Sequence, residues 1–248
     1  MKIFANILVI IASVSFLGAC SVNDNPSGEV VPTPVPLVKP IDLGFPSGTK
    51  WANMDIGAEG ECKPGLFFMY GELKGYDYVT YAGRYFFWDS YKWNDGSDSS
   101  TGIFKYQVAD DRKEGCWYDA NGKFIGDGKG MLEPEDDAAI VLWGDNWRMP
   151  TAAEVQELID GCTSETTTIA GQAGCLFTSK TNGETIFFPF SGDLAMDEVK
   201  VRNERGYYWS ATLSETDTSK GMILYVAPNS VACNPAYRFG GRPIRPVQ

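Results

Sequence analysis

The chain has 248 residues, 44% of them hydrophobic and 21% charged, with a net charge of −11 and no histidine. That length suits one medium domain or two small ones with a sizeable core. The acidic balance repels phosphate backbones and argues against nucleic acid as a partner. Without imidazole the chain lacks the usual general base near neutral pH and the commonest metal ligand, which sets aside zinc hydrolases, serine triads and cysteine–histidine dyads.

In chain order, Lys2 supplies a positive start and Ile3 to Phe16 is an apolar run too short for a comfortable transmembrane helix. Leu17-Gly18-Ala19-Cys20 follows, which resembles the lipobox of bacterial lipoproteins. Residues 1–19 are therefore expected to be a signal peptide and Cys20 the lipidated first residue of the mature chain. Removing that peptide deletes Lys2 and no acid, so the mature charge is −12. Acyl chains such as palmitate on Cys20 would hold the protein on a bilayer, each buried methylene contributing about 0.8 kcal/mol. Residues 20–40 then read as the lipidated cysteine and a proline-rich tether, extended because proline fixes φ and removes donors. The expected location is the outer membrane or cell surface.

A domain over residues 41–248 follows, of α+β class, rich in glycine, proline and aromatic residues as suits many short strands and turns. Residues 84–130 are irregular and rich in Trp, Tyr, Gly and Asp, an elaborated loop region with one hairpin at Asn121-Gly122. A helix is predicted at about Pro134 to Trp143, where Glu135, Asp136 and Asp137 suit the positive end of the macrodipole. The best helix is Thr151 to Gly161, with Thr151 as N-cap, Glu154 completing a capping box, and Gly161 as C-cap candidate. Asn182-Gly183 predicts a hairpin joining Leu176–Thr178 to Thr185–Phe188. Gly206 to Ala211 and Met222 to Val226 read as core strands, and the prolines of Arg242 to Val247 demand an edge strand.

An ordered set of short motifs runs through this domain: Ile41-Asp42-Leu43-Gly44-Phe45-Pro46-Ser47-Gly48-Thr49-Lys50-Trp51-Ala52, Leu132-Glu133-Pro134-Glu135-Asp136-Asp137-Ala138-Ala139, Trp143-Gly144-Asp145-Asn146-Trp147-Arg148-Met149-Pro150-Thr151, Gly206-Tyr207-Tyr208-Trp209-Ser210 and Gly241-Arg242-Pro243-Ile244-Arg245-Pro246-Val247. The set resembles the Fibrobacter succinogenes major paralogous domain family, abundant in Bacteroidetes lipoproteins, over residues 41–248. The Trp-Arg-Met-Pro-Thr step and the C-terminal ending also resemble formylglycine-generating enzymes and C-type-lectin-like proteins. The resemblance implies a C-type-lectin-like fold with two short helices on small twisted antiparallel sheets and paired N- and C-terminal strands, Ile41–Leu43 beside Ile244–Val247. It further implies ligand contacts in the segment carrying Tyr225, Asn229, Asn234, Tyr237 and Arg238, whose side chains suit adaptable recognition.

Formylglycine-generating enzymes use a cysteine pair near the C-terminus, whereas Cys233 stands there alone, so that activity is not expected. Glu133, Glu135, Asp136 and Asp137 are better read as helix-start caps than as a glycosidase pair. Asn94-Asp95-Gly96-Ser97-Asp98 offers hard oxygens for calcium, but its composition is that of a turn. Trp143, Trp147 and Trp209 are read as core. After export the cysteines meet an oxidising compartment. Cys162 and Cys175 flank a twelve-residue segment that a disulfide would close, Cys62 with Cys116 being a second pairing that sequence cannot fix. The expectation is a noncatalytic surface lipoprotein that binds an extracellular glycan or protein, with no cofactor and no metal. The alternatives are a subunit of a surface assembly and, third, an enzyme.

Overall fold

The computed structural model describes residues 37–78, 84–144 and 146–248. Short helices follow a first pair of strands and precede the remaining antiparallel strands, an α+β arrangement as expected. The expected signal peptide, Cys20 and most of the expected tether lie outside the described residues.

The helices form where local chemistry calls for them. Thr151 accepts a hydrogen bond from the Glu154 amide while the Glu154 carboxylate accepts from the Thr151 amide at 2.8 Å, so the capping box opens a helix over Ala152–Gly161. Its Val155 and Leu158 are buried in the core. Gly161 is the last helical residue and Cys162 the C-cap, one position beyond expectation. The reach at Pro134–Trp143 is split. Pro134–Asp136 is a single 3-10 turn, and Asp137 caps a separate six-residue helix, Ala138–Trp143, accepting from the Ala139 and Ile140 amides. We call these helices α1 (Ala138–Trp143) and α2 (Ala152–Gly161).

Two three-stranded antiparallel sheets carry most of the strands. One runs β3 (Cys162–Ile169), β4 (Gln172–Ser179), β5 (Thr185–Pro189), and the other β10 (Ser230–Tyr237), β9 (Lys220–Ala227), β8 (Gly206–Leu213). Phe177 pairs with Ile186 across the Asn182-Gly183 turn, so the expected hairpin forms. Small two-stranded pairs, β1 (Pro40–Asp42) with β2 (Lys50–Ala52) and β6 (Asp193–Ala195) with β7 (Glu198–Lys200), complete the set. Because side chains alternate along a strand, Tyr208, Leu224 and Val226 pack with Trp51, Leu158, Phe177 and Phe188 in one core, while Trp209 and Ile223 pack with Tyr70, Tyr106 and Met149 in a second. Trp147 and Trp209 are buried as expected, and Trp143 is half-buried.

The C-terminal segment departs from expectation. It runs through the interior instead of along an edge. On one side the Lys50 and Ala52 amides donate to the carbonyls of Gln248 and Pro246, at 3.1 and 2.8 Å; on the other, Val247 and Arg148 exchange bonds at 2.9 and 3.0 Å. Its strand partner is therefore β2, with β1 one strand further out, so Ile41–Leu43 does not lie directly beside Ile244–Val247. Interior prolines are tolerated because Pro246 contributes only its carbonyl. The Ala52 carbonyl, which a non-proline amide would have served, accepts from the Arg245 guanidinium at 3.3 Å.

Residues 84–130 are irregular but packed. Phe86, Trp88, Tyr91, Ile103 and Trp117 are buried in a third cluster with Phe67, Met69 and Leu194. The Asn121-Gly122 turn closes a one-bridge hairpin, Tyr118 opposite Phe124. The Asn94–Ser97 turn is held by its own side chains, with the Gly96 and Ser97 amides donating to the Asn94 and Asp95 carbonyl and carboxylate oxygens at 3.2 and 3.0 Å.

Candidate functional site

The residues expected to bind a ligand are spread along one hairpin. Asn229 occupies the β9–β10 turn with a positive φ of 59°. Tyr225 and Asn234 share one face of the sheet, since Tyr225 pairs with Ala232 and Asn234 with Ile223. Tyr237 sits opposite Lys220, at the far end from the turn, roughly 23 Å away at the usual strand rise. These residues do not form one constellation.

Arg238 is a correction: it is fully buried and not a surface contact. Its Nε donates to the Tyr91 hydroxyl at 2.9 Å, and its terminal nitrogens donate to the carbonyls of Tyr106, Thr218 and Lys105 at 3.0, 3.2 and 3.0 Å. The guanidinium also lies over the Tyr70 and Tyr91 rings. A guanidinium has donors for several acceptors at once and resists desolvation better than an ammonium. Arg238 thus ties the end of β10 to the irregular 84–130 region.

The Cys162–Cys175 disulfide is a second correction. Both thiols are free and buried in the first core. Cys162 pairs with Ser179, whereas Cys175 pairs with Thr166, four positions further along β3. At about 3.3 Å per residue that offset is about 13 Å, well beyond disulfide reach. The Cys116 thiol donates to the Ile103 carbonyl at 2.9 Å.

What the fold does assemble at the surface is an array of aromatic rings. Tyr237 and Phe239 stack with centroids 5.6 Å apart and planes at 11°. Phe239 meets Phe87 at 5.1 Å, and Phe87 meets Tyr85 at 6.1 Å. Buried Trp88 stands edge-on beneath, 5.0 Å from Phe239 and 6.1 Å from Tyr237. Tyr237 and Tyr85 remain 49% and 46% exposed. Soluble proteins rarely leave contiguous apolar rings open without use. Of this platform only Tyr237 was expected. The available signal for the others was the aromatic run Tyr85-Phe86-Phe87-Trp88, which sequence alone could not bring to Phe239.

Beside the platform is an open cavity of about 390 Å³ lined by Glu72, Lys74, Tyr76, Arg84, Ser90 and Lys92. Arg84 bonds the Glu72 carboxylate at 3.0 Å and the Ser90 carbonyl at 2.9 Å. Burial raises the Glu72 carboxyl, opposed by the Lys92 amide bond and the Arg84 charge. Ser90 links cavity to platform, because its hydroxyl donates to the Tyr85 carbonyl and, at 3.1 Å, to that of Phe87.

The other buried carboxylates are committed to structure. Asp136, expected only as a helix-start cap, bonds Lys92, Lys105 and the Tyr106 hydroxyl at 3.1, 2.6 and 2.6 Å. Asp137 caps α1 and accepts from the Met149 amide at 2.8 Å. Burial pushes the Cys162 and Cys175 thiols up to about 11, opposite to the activation a nucleophilic thiol needs.

No protein-family model, curated protein or solved structure matches the chain.

Proposed function

We propose that this is a noncatalytic, lipid-anchored protein of the outer membrane or cell surface, whose C-type-lectin-like domain binds an extracellular glycan. The observation that carries the reading is the stacked, half-exposed Tyr237–Phe239 pair continued by Phe87 and Tyr85. Sugar rings present a face of C–H bonds that packs on the negative face of an aromatic ring, and rigid side chains do so at small entropic cost. The lipobox at Cys20 and the proline-rich tether support presentation away from a bilayer. The resemblance of the ordered motifs to the Fibrobacter succinogenes major paralogous domain family is what supports the lectin-like reading.

The test is binding of the purified full chain in detergent to an array of oligosaccharides, beside Tyr237→Ala. Binding by the parent that the variant loses by tenfold or more is the expected result. A well-folded parent silent on every glycan would overturn the reading. In that case co-purification of a stoichiometric protein after crosslinking on intact cells would assign the same rings to a protein assembly.

A further inference from the structure

The cavity that adjoins the platform has the wrong charge for this protein. The chain carries a net −11, and an acidic surface repels acidic ligands. Yet Lys74, Arg84 and Lys92 line the cavity against the single carboxylate of Glu72. Glu72 is matched by Arg84 at 3.0 Å, and Lys92 reaches out to Asp136 at 3.1 Å. Lys74 is exposed, makes no ion pair among the described residues, and holds its ammonium 5.0 Å from the centre of the Tyr76 ring. Tyr76 is itself buried, and Leu73 adds apolar wall.

We propose that this cavity receives the anionic group of an acidic saccharide, a carboxylate or sulfate, while neighbouring sugar rings lie on the Tyr85–Phe87–Phe239–Tyr237 platform. The inference rests on the glycan reading and names the class of glycan. A volume of about 390 Å³ is within the range of small-molecule sites, roughly 300–1,000 Å³. Lys74 supplies a charge not consumed by a protein carboxylate among the described residues, held over the buried Tyr76 ring. Ser90 lines the cavity and its hydroxyl bonds the backbone that carries Tyr85 and Phe87, which makes the cavity a neighbour of the platform in the chain. A local cationic pocket in an acidic surface selects by charge complementarity more than it adds raw affinity.

The experiment compares a uronic-acid oligosaccharide, its carboxyl-reduced neutral form and a sulfated neutral backbone, titrated by calorimetry into the full chain in detergent. Lys74→Glu is the main variant, since Lys74 is exposed and its replacement leaves the core intact; Lys74→Arg is the conservative control. The acidic sugars should bind at least tenfold more tightly than the reduced form, with that preference shrinking at high salt. Lys74→Glu should abolish the preference, and Lys74→Arg should keep it. Uronic and sulfated forms are separated by which of them shows the preference. Equal binding of acidic and reduced forms, or a preference untouched by Lys74→Glu, overturns the proposal while leaving the glycan reading standing. Absence of binding by every saccharide overturns both.

Discussion

Arg245 donates through Nε to Asp55 Oδ1 at 2.6 Å, and both side chains are completely buried. The pair joins the fourth residue from the C-terminus to the start of the domain, with the guanidinium also bonded to the carbonyls of Ala52 and Phe187 and lying over the Phe188 ring. The second Asp55 oxygen accepts from the Gly65 amide at 3.3 Å. A side chain at Gly65 would collide with the Ile56 carbonyl, its Cβ falling 2.4 Å from that oxygen.

Removing one partner of this pair strands a charge in the core. Asp55→Ala should lower unfolding free energy by about 3–5 kcal/mol. A double replacement of Asp55 and Arg245 by apolar residues of similar volume should cost less than the two single changes added together. Urea denaturation of the four proteins measures both quantities, and strict additivity would count against a specific pair.

Acid stability should report on Glu154. Burial alone would raise its carboxyl, but the Arg148 guanidinium, the Thr151 amide and the Thr49 hydroxyl outweigh it and hold the group at about 2. A depressed folded pKa means stability that is present above the unfolded value near 4.5 and lost as pH falls through about 2. Thermal scans from pH 5 to pH 2 should show that decline, on the order of 2–3 kcal/mol. Glu154→Gln should be less stable at pH 6 and show a shallower decline. Parallel curves for the two proteins would rule the assignment out.

Arg238 is expected to act on folding, not on ligand affinity. Arg238→Ala leaves the Tyr91 hydroxyl and the carbonyls of Lys105, Tyr106 and Thr218 without their donor and opens a hole between aromatic rings. The loss should be about 3 kcal/mol or more. Arg238→Lys keeps the charge, cannot serve those acceptors together, and should recover only part of the loss. A stable Arg238→Ala protein would refute the structural role.

Reduction should leave the domain's first core untouched. With Cys162 and Cys175 about 13 Å out of register, dithiothreitol should not change the melting temperature of the parent protein. Cys175→Ala itself should cost about 1–2 kcal/mol through lost packing. A Cys162–Cys175 peptide in a non-reducing digest would contradict the register.

Anchoring tests the N-terminal expectation. Cys20→Ser in the full precursor should release the protein from the membrane fraction, and mass spectrometry of the parent should find acyl groups on that cysteine.

Much of the local structure was legible in the sequence. The capping box of Thr151 and Glu154 and the Asn182-Gly183 turn each lie within a few residues, and the structure forms both as read. The single helix expected at about Pro134 to Trp143 was broken by Asp137, which caps a new helix instead of continuing the first turn. The platform was nearly invisible, because Tyr85 and Phe87 meet Phe239 only after the chain between them has folded. Arg238 was placed on the surface because a cation beside aromatic residues in a late loop looks like a recognition residue; its contact with Tyr91 spans 147 residues.

Composition and short-range pattern determined the class of fold, the turns, the main helix and the absence of imidazole chemistry. Tertiary structure alone decided that the C-terminal segment runs between β2 and Arg148, that Cys162 and Cys175 stand apart, and that Arg238 is buried while Tyr237 is open. The physical reason is that caps and turns are settled by bonds between residues a few positions apart. Burial, charge pairing and ring stacking depend on loop closure over most of the chain, which no local window of sequence contains.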